Sequence, residues 1–163
     1  MIPVVSVVGK SNTGKTTFLV KLISELKSRG YRLAIVKHNV HGFDIDHPGK
    51  DTFKHAEAGA DAVVIASPHK FAMIKQVEKE IAFDDIVKLL GTDYDIILTE
   101  GYKSGPYPKI EVSRKECSTE LLSGEDELIA IVTDNEFEIK RPHFDLDNAA
   151  GVADIVVEKF LSV

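Results

Sequence analysis

The octapeptide Gly9-Lys10-Ser11-Asn12-Thr13-Gly14-Lys15-Thr16 meets G-x-x-x-x-G-K-[ST] at every fixed position. Such a loop works only between a buried strand and the first turn of a helix. Its backbone must fold back so that several N–H groups point at one phosphate, and the helix N-terminus adds partial positive charge. The flanks agree. Ile2–Val8 is a short β-branched apolar run, and from Lys15 to Arg29 the apolar residues Phe18, Leu19, Leu22, Ile23 and Leu26 follow helical spacing, with Gly30 where a C-cap belongs. The pattern assigns Gly9 through Thr16 to phosphate binding, Lys15 to the β- and γ-phosphates and the Thr16 hydroxyl to Mg²⁺.

The rest of the chain alternates strands and helices. Arg32–Lys37 reads as a second strand, Lys50–Gly59 as a short helix, and Asp61–Ala66 with Phe71–Val77 as a hairpin joined by Ser67-Pro68-His69-Lys70. Ile81–Leu90 reads as a helix ended by Gly91. Tyr94–Thr99, Lys109–Val112 and Leu128–Val132 read as strands, and Asp147 as the cap of a final helix over Ala149–Phe160. The expected fold is α/β: one P-loop NTPase domain over residues 1–163, a mostly parallel sheet flanked by helices with a β-hairpin insertion. Ligands of such a sheet sit beyond the carboxyl ends of its strands.

That rule ranks the acids. Glu100 closes the run YDIILTE and is followed by glycine, so it faces the ligand crevice and is the first candidate for the metal or its water. Asp44 or Asp46, in the stretch after the second strand, is the alternative, while Asp95 reads as a solvated entry residue. Lys10 directly follows the first glycine, as in the phosphate loops of dimeric nucleotide-switch ATPases and GTPases, where that lysine reaches a partner's nucleotide; a solvated loop lysine is the competing reading. No Asn-Lys-x-Asp guanine motif occurs, but Asp134 follows the strand Leu128–Val132 and could meet a guanine edge.

A net charge of −6 gives no reason to expect nucleic acid or an anionic membrane as partner. The single cysteine, Cys117, cannot close an internal disulfide, which fits a reducing compartment. Lys10 interrupts the apolar start too early for a signal segment, and no apolar run reaches the roughly 20 residues of a membrane span. The expectation is a cytoplasmic protein.

The stretch HNVHGFDIDHPGKD is too polar for a core. Its histidines, with His55, bring four of the chain's six between residues 38 and 55, which raises a metallochaperone-type GTPase as a rival reading. No Cys-x-x-Cys accompanies them, and aspartates interrupt the run. A P-loop kinase or ATP-dependent ligase is a second rival, weakened by the absence of an arginine-rich lid segment.

The phosphate loop followed by RGYRLAIVKH, then FDIDHPGKD and AGA, then TEGYK and PKIEVSR, resembles the molybdopterin-guanine dinucleotide biosynthesis protein B family (MobB). The likeness runs from about Val4 to Arg114, continues more weakly to Asp134, and fades beyond. It implies a small homodimeric GTP-binding protein, with Mg²⁺ and slow GTPase activity, working beside the molybdenum cofactor guanylyltransferase and molybdopterin-dependent enzymes. Molybdopterin itself is a candidate second ligand. Carried over by position, Thr16 and Glu100, with Asp46 joining them, would serve Mg²⁺, and Glu100 and Lys15 would carry the chemistry. Lys37, His38 and the Asp44–Asp51 loop would line the outer site, while Lys103, Lys109 and Arg114 would contact a phosphate-bearing second ligand or the partner enzyme.

Overall fold

A computed structural model describes residues 2–162. Its organising element is β1 (Val4–Val8), whose last four residues are buried. The strand lies between β5 (Ile96–Glu100) and β6 (Lys109–Ser113) in a six-stranded sheet of order β2-β5-β1-β6-β7-β8. The remaining strands are β2 (Leu33–Lys37), β7 (Leu128–Thr133) and β8 (His143–Phe144), and every pairing in the sheet is parallel. Parallel strands buried this way read as continuous apolar runs, which is why β1, β5 and β7 could be recognised. Two-residue β8 could not: Phe144 and its neighbour are too few to show a period.

One face of the sheet carries the core. Phe18, Leu22 and Leu26 of α1 (Lys15–Ser28) and Val152, Ala153 and Val156 of α4 (Ala149–Val156) pack on Val5, Val7, Leu98, Ile110 and Val132. Helix α1 ends as its sequence predicts. Gly30 takes a φ of 91°, with its N–H bonded to the Lys27 carbonyl (3.0 Å) and that of Tyr31 to Leu26 (3.2 Å). The other pleat of β6 is polar and buried. Glu111 accepts from the amides of Leu122 (2.6 Å) and Ser123 (2.9 Å), and Thr99 donates to Ser6 across β5 and β1 (2.9 Å).

Three expectations need correction. The cap of α4 is Asn148, whose side chain accepts from the Gly151 amide at 2.9 Å; Asp147 instead pairs with Lys21. Regular α-helix stops at Val156 and widens into a π-helical turn, Val157–Leu161, closed by Ser162 N–H to the Val157 carbonyl (2.9 Å). Lys109 is only 2% exposed, bonds Glu127 and opens β6 at the edge opposite the carboxyl ends, so it cannot contact a ligand or partner there.

The chain divides into two compact units. The sheet, α1 and α4 form one; residues Asn39–Leu89 form the other. This second unit holds α2 (Asp51–Glu57), the antiparallel hairpin of β3 (Ala62–Ser67) and β4 (Lys70–Lys75), and most of α3 (Phe83–Leu90). Ser67 pairs with Lys70 across a two-residue Pro68-His69 turn. Val63 packs toward α2, and among the described residues it is the only buried apolar side chain of this unit. The opposite hairpin face shows Val64, Phe71 and Met73 at 55%, 67% and 47% exposure.

Candidate functional site

At the carboxyl end of β1 the chain turns at Gly9, whose φ is 150°. A Cβ there would stand 2.3 Å from the Val112 carbonyl oxygen and 2.9 Å from Thr13 Oγ1, so only glycine fits between this loop and β6. Thr13 Oγ1 (3.0 Å) and Lys15 Nζ (2.7 Å) both donate to the Lys10 carbonyl and hold the loop closed. Gly14, at φ 90°, then opens α1.

The acid that strand position singled out meets the loop. Thr16 Oγ1 donates to Glu100 Oε1 at 2.7 Å, and Lys37 Nζ lies 3.4 Å from the same oxygen. The parallel register explains this meeting, because Glu100 is level with Val7 of β1 on one side and with Lys37 of β2 on the other. Lys37 and Lys15 both lie within electrostatic reach of this carboxylate, and Lys103 within reach of Lys15. Burial draws the Lys15 ammonium below the usual lysine range, Lys103 adds to this, Glu100 opposes it and Lys37 adds again. A hydroxyl and a carboxylate in contact are hard oxygen donors of the kind Mg²⁺ takes, and the cationic rim suits a polyphosphate.

Beyond Glu100 the backbone takes positive φ at Gly101 (103°) and Tyr102 (43°). The His38 amide donates to the Glu100 carbonyl (2.9 Å), and the His38 ring stacks on Tyr102 at 4.6 Å between centroids. On the other flank the segment after β6 folds over the phosphate loop. Lys10 Nζ donates to Ser118 Oγ (2.6 Å) and stands 3.9 Å from Glu120, while Cys117 Sγ donates to the Asn12 carbonyl (3.3 Å). Ser11, Asn12, Thr16 and Thr17 are exposed along the loop and first helical turn.

Asp134, just past β7, accepts from the Lys115 amide at 2.7 Å, and Asn135 Nδ2 donates to the Ser118 carbonyl at 2.8 Å. The segment Arg114–Ser118 is therefore tied to the phosphate loop on one side and to the end of β7 on the other. Sequence reasoning missed Cys117, Ser118 and Asn135; the available signal was that they follow the carboxyl ends of β6, which pairs with β1, and of β7, which pairs with β6.

Asp46 belongs to the second unit. Its carboxylate accepts from Thr52 Oγ1 and from the His47 amide, both at 2.6 Å, and these bonds, Thr52 first, hold it below the usual carboxylate range. With Phe43, Asp44, Phe53 and Glu57 it lines a cleft of about 360 Å³ within that unit. The clustered histidines do not converge: among the described residues no three His, Cys, Asp or Glu side chains are grouped to hold a metal ion. No helix among them is long and apolar enough to cross a membrane.

Comparison with known proteins gives one answer. The family model for molybdopterin guanine dinucleotide synthesis protein B matches residues 4–134. The chain is 34% identical over 163 residues to the molybdopterin-guanine dinucleotide biosynthesis adapter protein of Escherichia coli, covering 97% of this chain and 93% of that protein. It is 33% identical over 156 residues to the Haemophilus influenzae adapter protein, covering 95% and 88%. The crystal structure of Bacillus subtilis MobB superimposes with a TM-score of 0.74 at 27% identity, over 99% of this chain and all of that one. The glycine-bounded loop, the strand-end glutamate and these likenesses together assign the chain to the molybdopterin guanine dinucleotide synthesis protein B (MobB) family.

Proposed function

We propose that this chain is a guanine-nucleotide-binding adapter of molybdenum cofactor biosynthesis, assisting the guanylyltransferase that forms molybdopterin-guanine dinucleotide. The contact between Thr16 and Glu100, at 2.7 Å beside the phosphate loop, is the observation that carries the nucleotide part of this reading. The pathway part rests on the names of the relatives. Gly9–Thr17 hold the phosphates, with Lys15 leaving the Lys10 carbonyl for the β- and γ-oxygens. Thr16 and Glu100 are the residues for Mg²⁺, which when bound neutralises charge on those oxygens.

Turnover is slow in this reading, because nothing in the chemistry of Lys37 or His38 replaces a water-orienting glutamine or an arginine finger. Asp134 stands on the guanine side, one of its oxygens already engaged by Lys115. The protein works in the cytoplasm as a homodimer joined through the hairpin, whose Val64, Phe71 and Met73 form a solvent-facing apolar strip beside unpaired strand edges.

Calorimetric titration tests the proposal. GTP with Mg²⁺ should bind in preference to ATP, Lys15→Ala should abolish binding, and GTP should strengthen capture of the guanylyltransferase. Equal affinity for ATP, or undiminished binding by Lys15→Ala, would contradict it.

A further inference from the structure

Arg114, the first residue past β6, has an unusual position. Its Nε is the only buried side-chain nitrogen or oxygen without a hydrogen-bond partner among the described residues. A buried N–H left unmade is costly, more so in a charged group, and such an orphan asks for a ligand. The guanidinium also borders the phosphate loop: Nη2 lies 3.6 Å from the point where a Cβ on Gly14 would stand. Gly14 has no Cβ, so the backbone there is open to an approaching phosphate, and the arginine faces that opening.

Two further observations bear on which part of a nucleotide would meet it. The sheet order puts β5 on one side of β1 and β6 on the other, so Glu100, Lys37 and the Thr16 hydroxyl belong to one flank and Arg114 to the opposite one. Arg114 is also continuous with the segment that Asp134 holds through the Lys115 amide, beside the end of β7. Its own carbonyl accepts from the amides of Cys117 (2.8 Å) and Ser118 (3.0 Å), which stiffens its backbone. Asp147, whose charge reaches Arg114, is itself hydrogen-bonded by Lys21.

We propose that Arg114 is a nucleotide-binding residue, its guanidinium hydrogen-bonding the nucleoside-proximal phosphate on the flank opposite the metal and the γ-phosphate. This inference rests on the nucleotide reading above and adds a second cationic flank to it. The planar guanidinium supplies Nε and Nη2 as parallel donors to one phosphate, which a lysine cannot do.

The test compares wild-type protein with Arg114→Gln and Arg114→Lys, titrated calorimetrically with GTP, GDP and GMP at fixed salt and Mg²⁺. Arg114→Gln should weaken GTP and GDP by the same factor, about 10- to 100-fold for a lost charged hydrogen bond. Arg114→Lys should recover only part of this. Melting of the nucleotide-free variants separates a merely structural role, which would lower stability without a common loss for the two nucleotides. Wild-type affinity in Arg114→Gln would overturn the proposal, and a loss confined to GTP would overturn its placement at the proximal phosphate. Should Arg114→Gln fail to fold, Arg114→Lys carries the test, and full affinity for GTP and GDP in that variant overturns it. Wild-type protein that binds none of the nucleotides would instead sink the underlying reading, an outcome distinct from either.

Discussion

Gly9→Ala asks whether the phosphate loop is held by contact with its neighbour strand or only by its own bonds. The new Cβ would stand 2.3 Å from the Val112 carbonyl oxygen. Carbon–oxygen contacts settle near 3.3–3.6 Å, so loop or strand must move by about 1 Å. Val112 is 1% exposed, in a strand paired on both sides, and has little room to yield. Overpacking of this kind costs about 1–3 kcal/mol, and alanine at a φ of 150° adds about 1–3 kcal/mol of backbone strain. A central value of about 4 kcal/mol lowers the melting temperature of a chain this size by about 8–16 °C. Gly14→Ala is the control. Its φ of 90° carries about 1–2 kcal/mol, and its nearest neighbour, Arg114 Nη2 at 3.6 Å, is an ordinary contact. Melting nucleotide-free protein by circular dichroism should rank wild type above Gly14→Ala, and Gly14→Ala above Gly9→Ala. Gly9→Ala melting within about 2 °C of wild type, or no lower than Gly14→Ala, would refute the steric argument.

Glu100→Gln should retain GTP binding and lose the dependence of affinity on Mg²⁺, which a titration with and without chelator reads. Glu127 is held below the usual carboxylate range by Lys109 first and the Gly124 amide second, so its contribution to stability exists above its unfolded pKa and is lost as pH falls through the folded one. The melting gap between wild type and Glu127→Gln should therefore be widest near neutrality and narrow below about pH 4. Glu111→Gln turns one of two acceptors toward an amide as a donor and should cost about 2 kcal/mol in denaturant titration, with faster hydrogen exchange at Leu122 and Ser123. Phe71→Glu should leave nucleotide affinity intact while light scattering reports loss of the proposed dimer; an unchanged mass would contradict the hairpin interface.

What the sequence made legible was local. The strand, loop and helix around Gly9–Thr16 are contiguous, and Glu100 announced itself as an acid before glycine at the end of an apolar run. Features decided by distant partners were not legible. Asp147 and Asn148 are both good caps, and the choice between them goes with Lys21, more than a hundred positions upstream, which engages the aspartate. Lys109 looked available because charge is readable and pleat direction is not; the residue lies on the buried side of β6 with Glu127. The covering segment Arg114–Ser118 has no period or motif, and its role depends on β6 ending beside β1.

The strand order also has a consequence for the chain as it is made. Val4 pairs with Ile97, and Ser6 with Lys109, so β1 leaves the ribosome before either neighbour and waits about 90 residues for the nearer one. At about 5–20 residues per second this is a wait of about 5–20 s. The hairpin of β3 and β4 closes within its own fourteen positions, Ala62 to Lys75, and need not wait. The nascent chain is thus expected to carry the apolar, β-forming segment of β1 unpaired through that interval. Stalled chains shorter than β5 should keep the phosphate-loop strand open to protease and to chaperone capture, and release it once β6 has emerged.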